Sequence, residues 1–296
     1  MNLQSGQWPT RGMVMVPAQE RVAHGDRLRE AGRMDDARAA YGEAIDAMAP
    51  PLGRALAGLA QTFIRQGQIG EARAPLERAV AVEPANPERW EWLGRVCEWA
   101  EDYAAAIHCW HRVIALGDGG RALPYIGLGW ALQQTGRMDE AEAAFRTAAS
   151  REPESTEPLV SLGLLEMERA RPGPAEAAFR AAVALRADCA MAQYWLANLL
   201  GGRLPDADLD ALQALADDPG TGEEPRTRLL FAMGHVLDAR GRHALAAPRF
   251  RAANALQLAA LRRSRPFDPA GHERFVGDLA RVYDRAFFDR MAGAGG

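Results

Sequence analysis

The side chains best suited to chemistry are spread thinly along the chain. His108, Cys109 and His111 fall within four positions, and two imidazoles three apart share one face of a helix, where they could meet a metal ion. No third ligand is fixed by the spacing. Trp110, between them, occupies a slot that recurs along the chain as a bulky apolar side chain, so the segment reads as packing, with Cys109 a small buried hydrophobe. The other histidines, His24, His235, His243 and His272, are scattered. Ser161 and Ser264 lack the Gly-x-Ser-x-Gly setting of an activated nucleophile, and no glycine-rich loop of the phosphate-cradling kind occurs. Acidic pairs such as Asp35–Asp36 and Glu223–Glu224 read as solvated turn residues. The expectation is a chain without catalytic residues, cofactor or metal.

Composition narrows the class of partner. With 48% hydrophobic and 25% charged residues the chain carries enough apolar surface for an extended core. A net charge of -4 and a pI near 5.9 give no long-range attraction to phosphate backbones, so nucleic acid is not an expected partner; Arg262, Arg263 and Arg265 read as a solvated helix end. Three cysteines, Cys97, Cys109 and Cys189, odd in number and without paired spacing, argue against a disulfide framework and fit a reducing, cytoplasmic setting. The apolar run Met13 to Val16 is too short for a signal-peptide core or a membrane span, and residues 1–17 read as a disordered tail. No membrane association is expected.

The strongest pattern is a beat. Alanines recur at Ala37, Ala72, Ala106, Ala141 and Ala175, spaced 35, 34, 35 and 34 positions apart, and the series resumes at Ala246 after a further 71. Four residues after each comes Tyr41, Leu76, Trp110, Phe145, Phe179 or Phe250, one helical turn on. Seven after each comes Ala44, Ala79, Val113, Ala148, Ala182 or Ala253, so small, bulky and small side chains line one face of a helix. Twelve before each stands Gly25, Ala60, Gly94, Gly129, Gly163 or Gly234, on a preceding helix that the missing side chain allows to approach closely. Gly32, Gly67, Gly136 and Gly241 fall between the two helices, where a reversal favours positive φ; Glu101 and Ala170 hold that slot elsewhere, which predicts a turn that is not uniform. Pro84 and Pro153 are placed to end their repeats.

This arrangement of small, aromatic, small and proline residues resembles the tetratricopeptide repeat, whose period is about 34 residues. The resemblance covers residues 18–258, in units beginning near Ala18, Gly53, Pro87, Ala122, Thr156, Ala190 and Thr227. It implies an all-α, right-handed superhelix of about seven hairpins. The sixth repeat, about 190–226, is weak: Gly201 to Pro205 interrupts it, Leu209, Leu212 and Leu215 replace the small residues, and Asp217 to Pro225 reads as a mobile loop where any hinge would lie. Residues 259–296 read as a terminal segment. In it Asp268–Pro269 starts a helix with the apolar stripe Phe275, Leu279, Val282 and Ala286, continued by Phe287 and Phe288, which would cap the last hairpin.

A second resemblance covers the C-terminal part. Phe250, Ala253–Asn254, Asp268–Pro269 and Phe287–Phe288 resemble the junction in bacterial proteins that fuse tetratricopeptide repeats to a sulfotransferase domain. That family's catalytic domain opens with a loop of the type G-x-P-R-S-G-T-T, and none of its residues occurs here, so no catalytic position carries over.

What remains is the groove that the repeat resemblance implies, lined by the first helix of each unit. The residue after the small slot, and those about one turn later, nominate Asp26, Arg29, Gln61, Arg65, Arg95, Trp99, Trp130, Gln134, Met167, Tyr194, Asn198 and His235. Arginines beside flat aromatic faces suit an extended, acidic peptide or a sugar ring. The expected function is a scaffolding module that recruits a protein or peptide; the alternatives are the substrate-presenting region of a sulfotransferase and a self-associating structural module. The junction resemblance predicts that DNA continuing past the Gly296 codon encodes a Pro-Arg-Ser-Gly-Thr-Thr-like loop; sequencing that DNA checks it, and a continuation without such a loop removes the sulfotransferase reading.

Overall fold

The structure, a computed structural model, describes residues 18–46, 52–117 and 119–264, with residues 273, 274, 276 and 281 beyond them. Among the described residues every regular element is helical. They fall into two compact units, Met1–Ala187 and Asp188–Gly296.

The first unit holds five helix pairs: α1 (Ala18–Glu30) with α2 (Met34–Asp46), α3 (Leu52–Arg65) with α4 (Ile69–Val82), α5 (Pro87–Trp99) with α6 (Tyr103–Gly117), α7 (Leu123–Gln134) with α8 (Met138–Arg151), and α9 (Glu157–Glu168) with α10 (Pro172–Leu185). Each start lies within one residue of the unit beginning read from the sequence. Local chemistry sets several of these ends. The Asn86 side chain accepts a hydrogen bond from the Glu88 amide at 3.1 Å with Pro87 at the first position of α5, and Asp102 accepts from the Ala105 amide at 3.1 Å at the start of α6. Asp35 and Asp36, expected in a turn, lie in the first turn of α2, where the helix dipole favours carboxylates. Each second helix packs on the first helix of the next pair, α2 on α3, α4 on α5, α6 on α7 and α8 on α9.

The beat in the sequence is the core. Ala37, Ala72, Ala106, Ala141 and Ala175 are fully buried, as are Tyr41, Leu76, Phe145 and Phe179, with Trp110 at 1% exposure. The glycines show why. A methyl group added at Gly129 would stand 2.5 Å from the Phe145 ring, and one at Gly163 would stand 2.3 Å from the Phe179 ring, distances that no carbon pair tolerates. Two rings are held on both sides: Tyr41 meets Gly25 of its own hairpin and Gly58 of the next, and Trp110 meets Gly94 and Gly127 in the same way.

The turn between paired helices is more uniform than its residues suggest. Glu101 and Ala170 take φ of 59° and 54°, beside 77°, 73° and 75° at Gly32, Gly67 and Gly136. The hydrogen bonds repeat too: Gly136 N–H to Gln133 and Arg137 N–H to Leu132 correspond to Ala170 N–H to Met167 and Arg171 N–H to Glu166. The helix ends demand the same left-handed residue at each site, and at Glu101 and Ala170 an L side chain bears roughly 1 kcal/mol for it.

The second unit holds α11 (Ala190–Leu200), a single 3-10 turn at Gly201–Arg203, α12 (Asp206–Asp217), α13 (Glu223–Ala239) and α14 (His243–Ser264). The interruption read at Gly201 to Pro205 is the 3-10 turn, and Arg240 secures it. Its guanidinium donates to the Gly202 carbonyl at 3.1 Å and to the Leu204 carbonyl, and pairs with Asp206 at 2.6 Å. Leu209 and Leu212, out of pattern for a repeat, are buried. The loop expected at Asp217 to Pro225 is shorter, because α13 begins at Glu223 and not near Thr227. Its residues are bonded: Gly220 N–H to Asp218 Oδ1 at 2.8 Å, Thr221 Oγ1 to the Leu215 carbonyl at 2.7 Å, and Arg226 to the carbonyls of Ala216 and Asp218 at 2.9 and 2.7 Å. The pattern then resumes, with Ala246 and Ala253 buried and Gly234 close against Phe250. Residues 1–17, Asp268–Pro269, the stripe from Phe275 to Ala286 and Phe287–Phe288 lie outside the described residues.

Substituting Gly163→Ala should lower stability by about 1–3 kcal/mol through overpacking against Phe179. The same change at Gly42, whose added methyl meets nothing within 4 Å, should be neutral or raise stability by up to about 1 kcal/mol. Urea unfolding of both variants checks the contrast.

Candidate functional site: the first-helix face of the repeats

Five first helices in the first unit, α1, α3, α5, α7 and α9, present the same positions to one face, and α1 touches α3 as α5 touches α7 and α7 touches α9. Immediately after the small slot stand Asp26, Gln61, Arg95, Trp130 and Leu164, each half-buried. Three residues on come Arg29, Ile64, Glu98, Gln133 and Met167, half-buried or buried. The next residue in each helix, Glu30, Arg65, Trp99, Gln134 or Glu168, is exposed, with Trp99 at 50%. Three parallel rows at a 34–35-residue period therefore run from α1 to α9.

At one end the rows form a polar knot. Tyr41, whose ring is clamped between glycines, donates its hydroxyl to Asp26 Oδ1 at 2.8 Å and accepts from Arg29 Nε at 3.2 Å, while Arg54 pairs with Asp26 Oδ2 at 2.5 Å. Burial, reinforced by the neighbouring Asp26 carboxylate, pushes the Tyr41 hydroxyl up to about 12, so it remains a donor at physiological pH. Arg65 reaches the Arg29 carbonyl at 3.3 Å and is itself exposed. Arg29 and Arg65, both nominated from the sequence, meet through that bond, and Arg29 is engaged with Asp26 and Tyr41.

Further along, Arg95 pairs with Glu91 at 3.0 Å, and Glu91 also holds Arg121 at 2.9 Å. The aromatic ring under the Arg95 guanidinium is Trp92, at 5.5 Å, rather than a tryptophan nominated from the sequence. Trp130 stands edge-on to Phe145 with ring centres 5.9 Å apart and so shares in the core. Gln133 donates to Glu168 at 2.5 Å across α7 and α9. Gln61 is half-buried and Gln134 exposed. In the second unit, Asn198 donates to the Tyr194 carbonyl at 3.0 Å, Tyr194 stands edge-on to Trp195 at 5.0 Å, and His235 packs edge-on to Phe250 at 5.1 Å. In the segment considered for metal, His108 stands edge-on to Trp90 at 5.7 Å and Cys109 is buried. Among the described residues no group of three or more His, Cys, Asp or Glu side chains comes together in a way that would hold a metal ion.

Sequence reasoning missed Glu98. Its carboxylate accepts a 2.6 Å hydrogen bond from the Trp110 indole, and burial pushes its proton affinity up to about 7, against the opposing pull of that bond and of Arg95. The signal was available, since Glu98 lies four residues after Gly94 just as Arg29 lies four after Gly25. A carboxylic acid whose folded-state affinity exceeds its unfolded value makes the native state lose stability as pH rises from about 4.5 to about 7, and no further above that. Glu98→Gln keeps the acceptor for Trp110 and removes the buried charge. It should therefore be more stable than the parent by on the order of 2 kcal/mol at pH 8, the difference fading toward zero near pH 4. Chemical unfolding at several pH values measures it.

Comparison with known proteins agrees with this geometry. Residues 28–96 and residues 124–155 each match a family model described as tetratricopeptide repeat. Among curated proteins no significant sequence match is found. Among solved structures, a tetratricopeptide repeat protein from Parabacteroides merdae superposes with a TM-score of 0.63 at 17% identity, covering 81% of this chain and 93% of that one. MamA protein superposes with a TM-score of 0.54 at 24% identity, covering 58% and 92%. YrrB, described as a TPR protein with an unusual peptide-binding site, superposes with a TM-score of 0.53 at 19% identity, covering 59% and 89%. No described helix is long and apolar enough to cross a membrane. Repeat period, buried pattern and structural likeness converge on one fold class: the described chain is all-α, with tetratricopeptide-type helical hairpins in its first unit.

Proposed function

We propose that the chain is a non-catalytic scaffolding module that holds a polypeptide along the first-helix face of its first unit. The observation that carries this reading is the register of the three rows. Side chains repeating at a fixed period along adjacent helices offer a strip of graded exposure, suited to an extended chain laid across the helices. Trp99 supplies an apolar contact, Gln61 and Gln134 can bond a peptide backbone, and Arg65 supplies a cation. A preference for acidic peptides rests on Arg65, since Arg29 and Arg54 already face Asp26 and Arg95 faces Glu91. The description of the structurally similar YrrB as a TPR protein with an unusual peptide-binding site supports this reading.

The test is selection from a random peptide display library, followed by anisotropy titration of the winners. Arg65→Ala combined with Trp99→Ala, both at exposed positions, should weaken them at least tenfold, on the scale of hot-spot losses. Arg78→Ala on α4 should leave them unchanged. Equal affinities for all three proteins would remove this face from the account.

A further inference from the structure

We propose that the outer face of α14 is a docking site for an acidic amphipathic helix of another protein. The argument begins with what the equivalent face does elsewhere. In α6, Ile107, Trp110 and Ile114 form a ridge at spacings of three and four that α7 covers, leaving Ile107 at 9% and Trp110 at 1% exposure. The outer side of the Trp110 ring meets Gly127 of α7 so closely that a methyl there would stand 2.4 Å away. The same positions in α14 are Ala247, Phe250 and Asn254, and the ridge runs on one turn to Leu258. Phe250 has its inner wall, Gly234, where an added methyl would stand 2.6 Å from the ring. Its outer side lacks a counterpart among the described residues: Phe250 is half-buried, Ala247 and Asn254 are exposed, and Leu258 is 47% exposed. The shape left open is the one a helix with a small residue fills at Tyr41 and Trp110.

Charge selects the occupant. From His243 to Ser264, α14 carries Arg249, Arg251, Arg262 and Arg263 and no Asp or Glu. Arg263 is paired with Glu223, and Arg249 is half-buried. Arg251 and Arg262 are exposed and eleven residues apart, three turns and about 16 Å, so they flank the ridge on one side. A helix seated on the ridge meets cations along that edge, and carboxylates at matching spacing satisfy them. A flat anionic membrane matches the charge but offers no small residue to close over Phe250. The chain's own residues 268–290 carry five Asp or Glu and four Arg, an excess of one carboxylate against the two exposed arginines of this edge.

The experiment uses the full chain with Cys189→Ser, which leaves only the buried Cys97 and Cys109, and with Leu258→Cys as a reporter. Because Leu258 is exposed, the change leaves the fold intact, which circular dichroism verifies. Maleimide labelling of the introduced thiol is timed alone, with a 21-residue helical peptide bearing Ala and Leu on one face and Glu on the other, and with its Lys counterpart. The proposal expects fast labelling of the protein alone, at least tenfold slowing by the Glu peptide, little slowing by the Lys peptide, and loss of the slowing when Arg251→Glu and Arg262→Glu are added. Slow labelling of the protein alone overturns it: slowing that dilution does not relieve means the chain covers its own ridge, and slowing that dilution relieves means a second copy does. Equal protection by both peptides, or protection by anionic phospholipid vesicles but not by the Glu peptide, overturns it as well.

Discussion

The interaction on which the architecture depends is a ring closed over a residue without a side chain. Each hairpin of the first unit pairs a buried aromatic or leucine on its second helix with a glycine or alanine on its first, and Phe250 of α14 meets Gly234 of α13. In the best-formed cases the following hairpin adds another glycine on the far side of the ring. Dispersion between a flat ring and bare helix backbone is strong because so many atoms reach optimal separation at once, and it vanishes if a single methyl intervenes. The two helices of a pair are therefore held close. Repeated from pair to pair, that contact leaves equivalent residues of the first helices recurring every 34 or 35 positions from α1 to α9.

Register has a chemical consequence. Side chains that would form unrelated surface contacts on separate helices become neighbours across helices, as Arg54 does to Asp26, Arg65 to Arg29, Arg121 to Glu91 and Gln133 to Glu168. Much of the polar potential of the face is spent on these bonds, and what remains for a partner is narrower than a list of polar residues suggests. Glu98 illustrates the coupling between core and face. The ring that fixes helix spacing at Trp110 also presents its indole N–H to a carboxylate on the face, so the packing residue and the titrating residue are one unit.

The second unit shows what happens when the small residues are missing. With Leu209 and Leu212 in place of the small pair, α12 cannot nest as a second helix does elsewhere, and the chain enters it through a 3-10 turn held by Arg240. An arginine bonded to two carbonyls and a carboxylate does here by directed hydrogen bonds what glycine and ring do elsewhere by contact.

The sequence by itself determined the helix pairs of the first unit and the residues buried between them, because both follow from local spacing: 34 or 35 residues for the pair, four and seven for the buried face. It also set Asp26, Gln61, Arg95 and Trp130 at equivalent positions, one residue after each small slot, and all four are half-buried. It did not determine which polar groups on that face are already partnered, because Glu91 with Arg121 and Asp26 with Arg54 lie about 30 residues apart and meet only once neighbouring hairpins stack. Nor did it show that Glu101 and Ala170 adopt the glycine conformation, since their residue types argue against it and the helices on either side impose it. Those were decided by tertiary structure, where packing of whole hairpins outweighs the roughly 1 kcal/mol that one residue's own preference contributes.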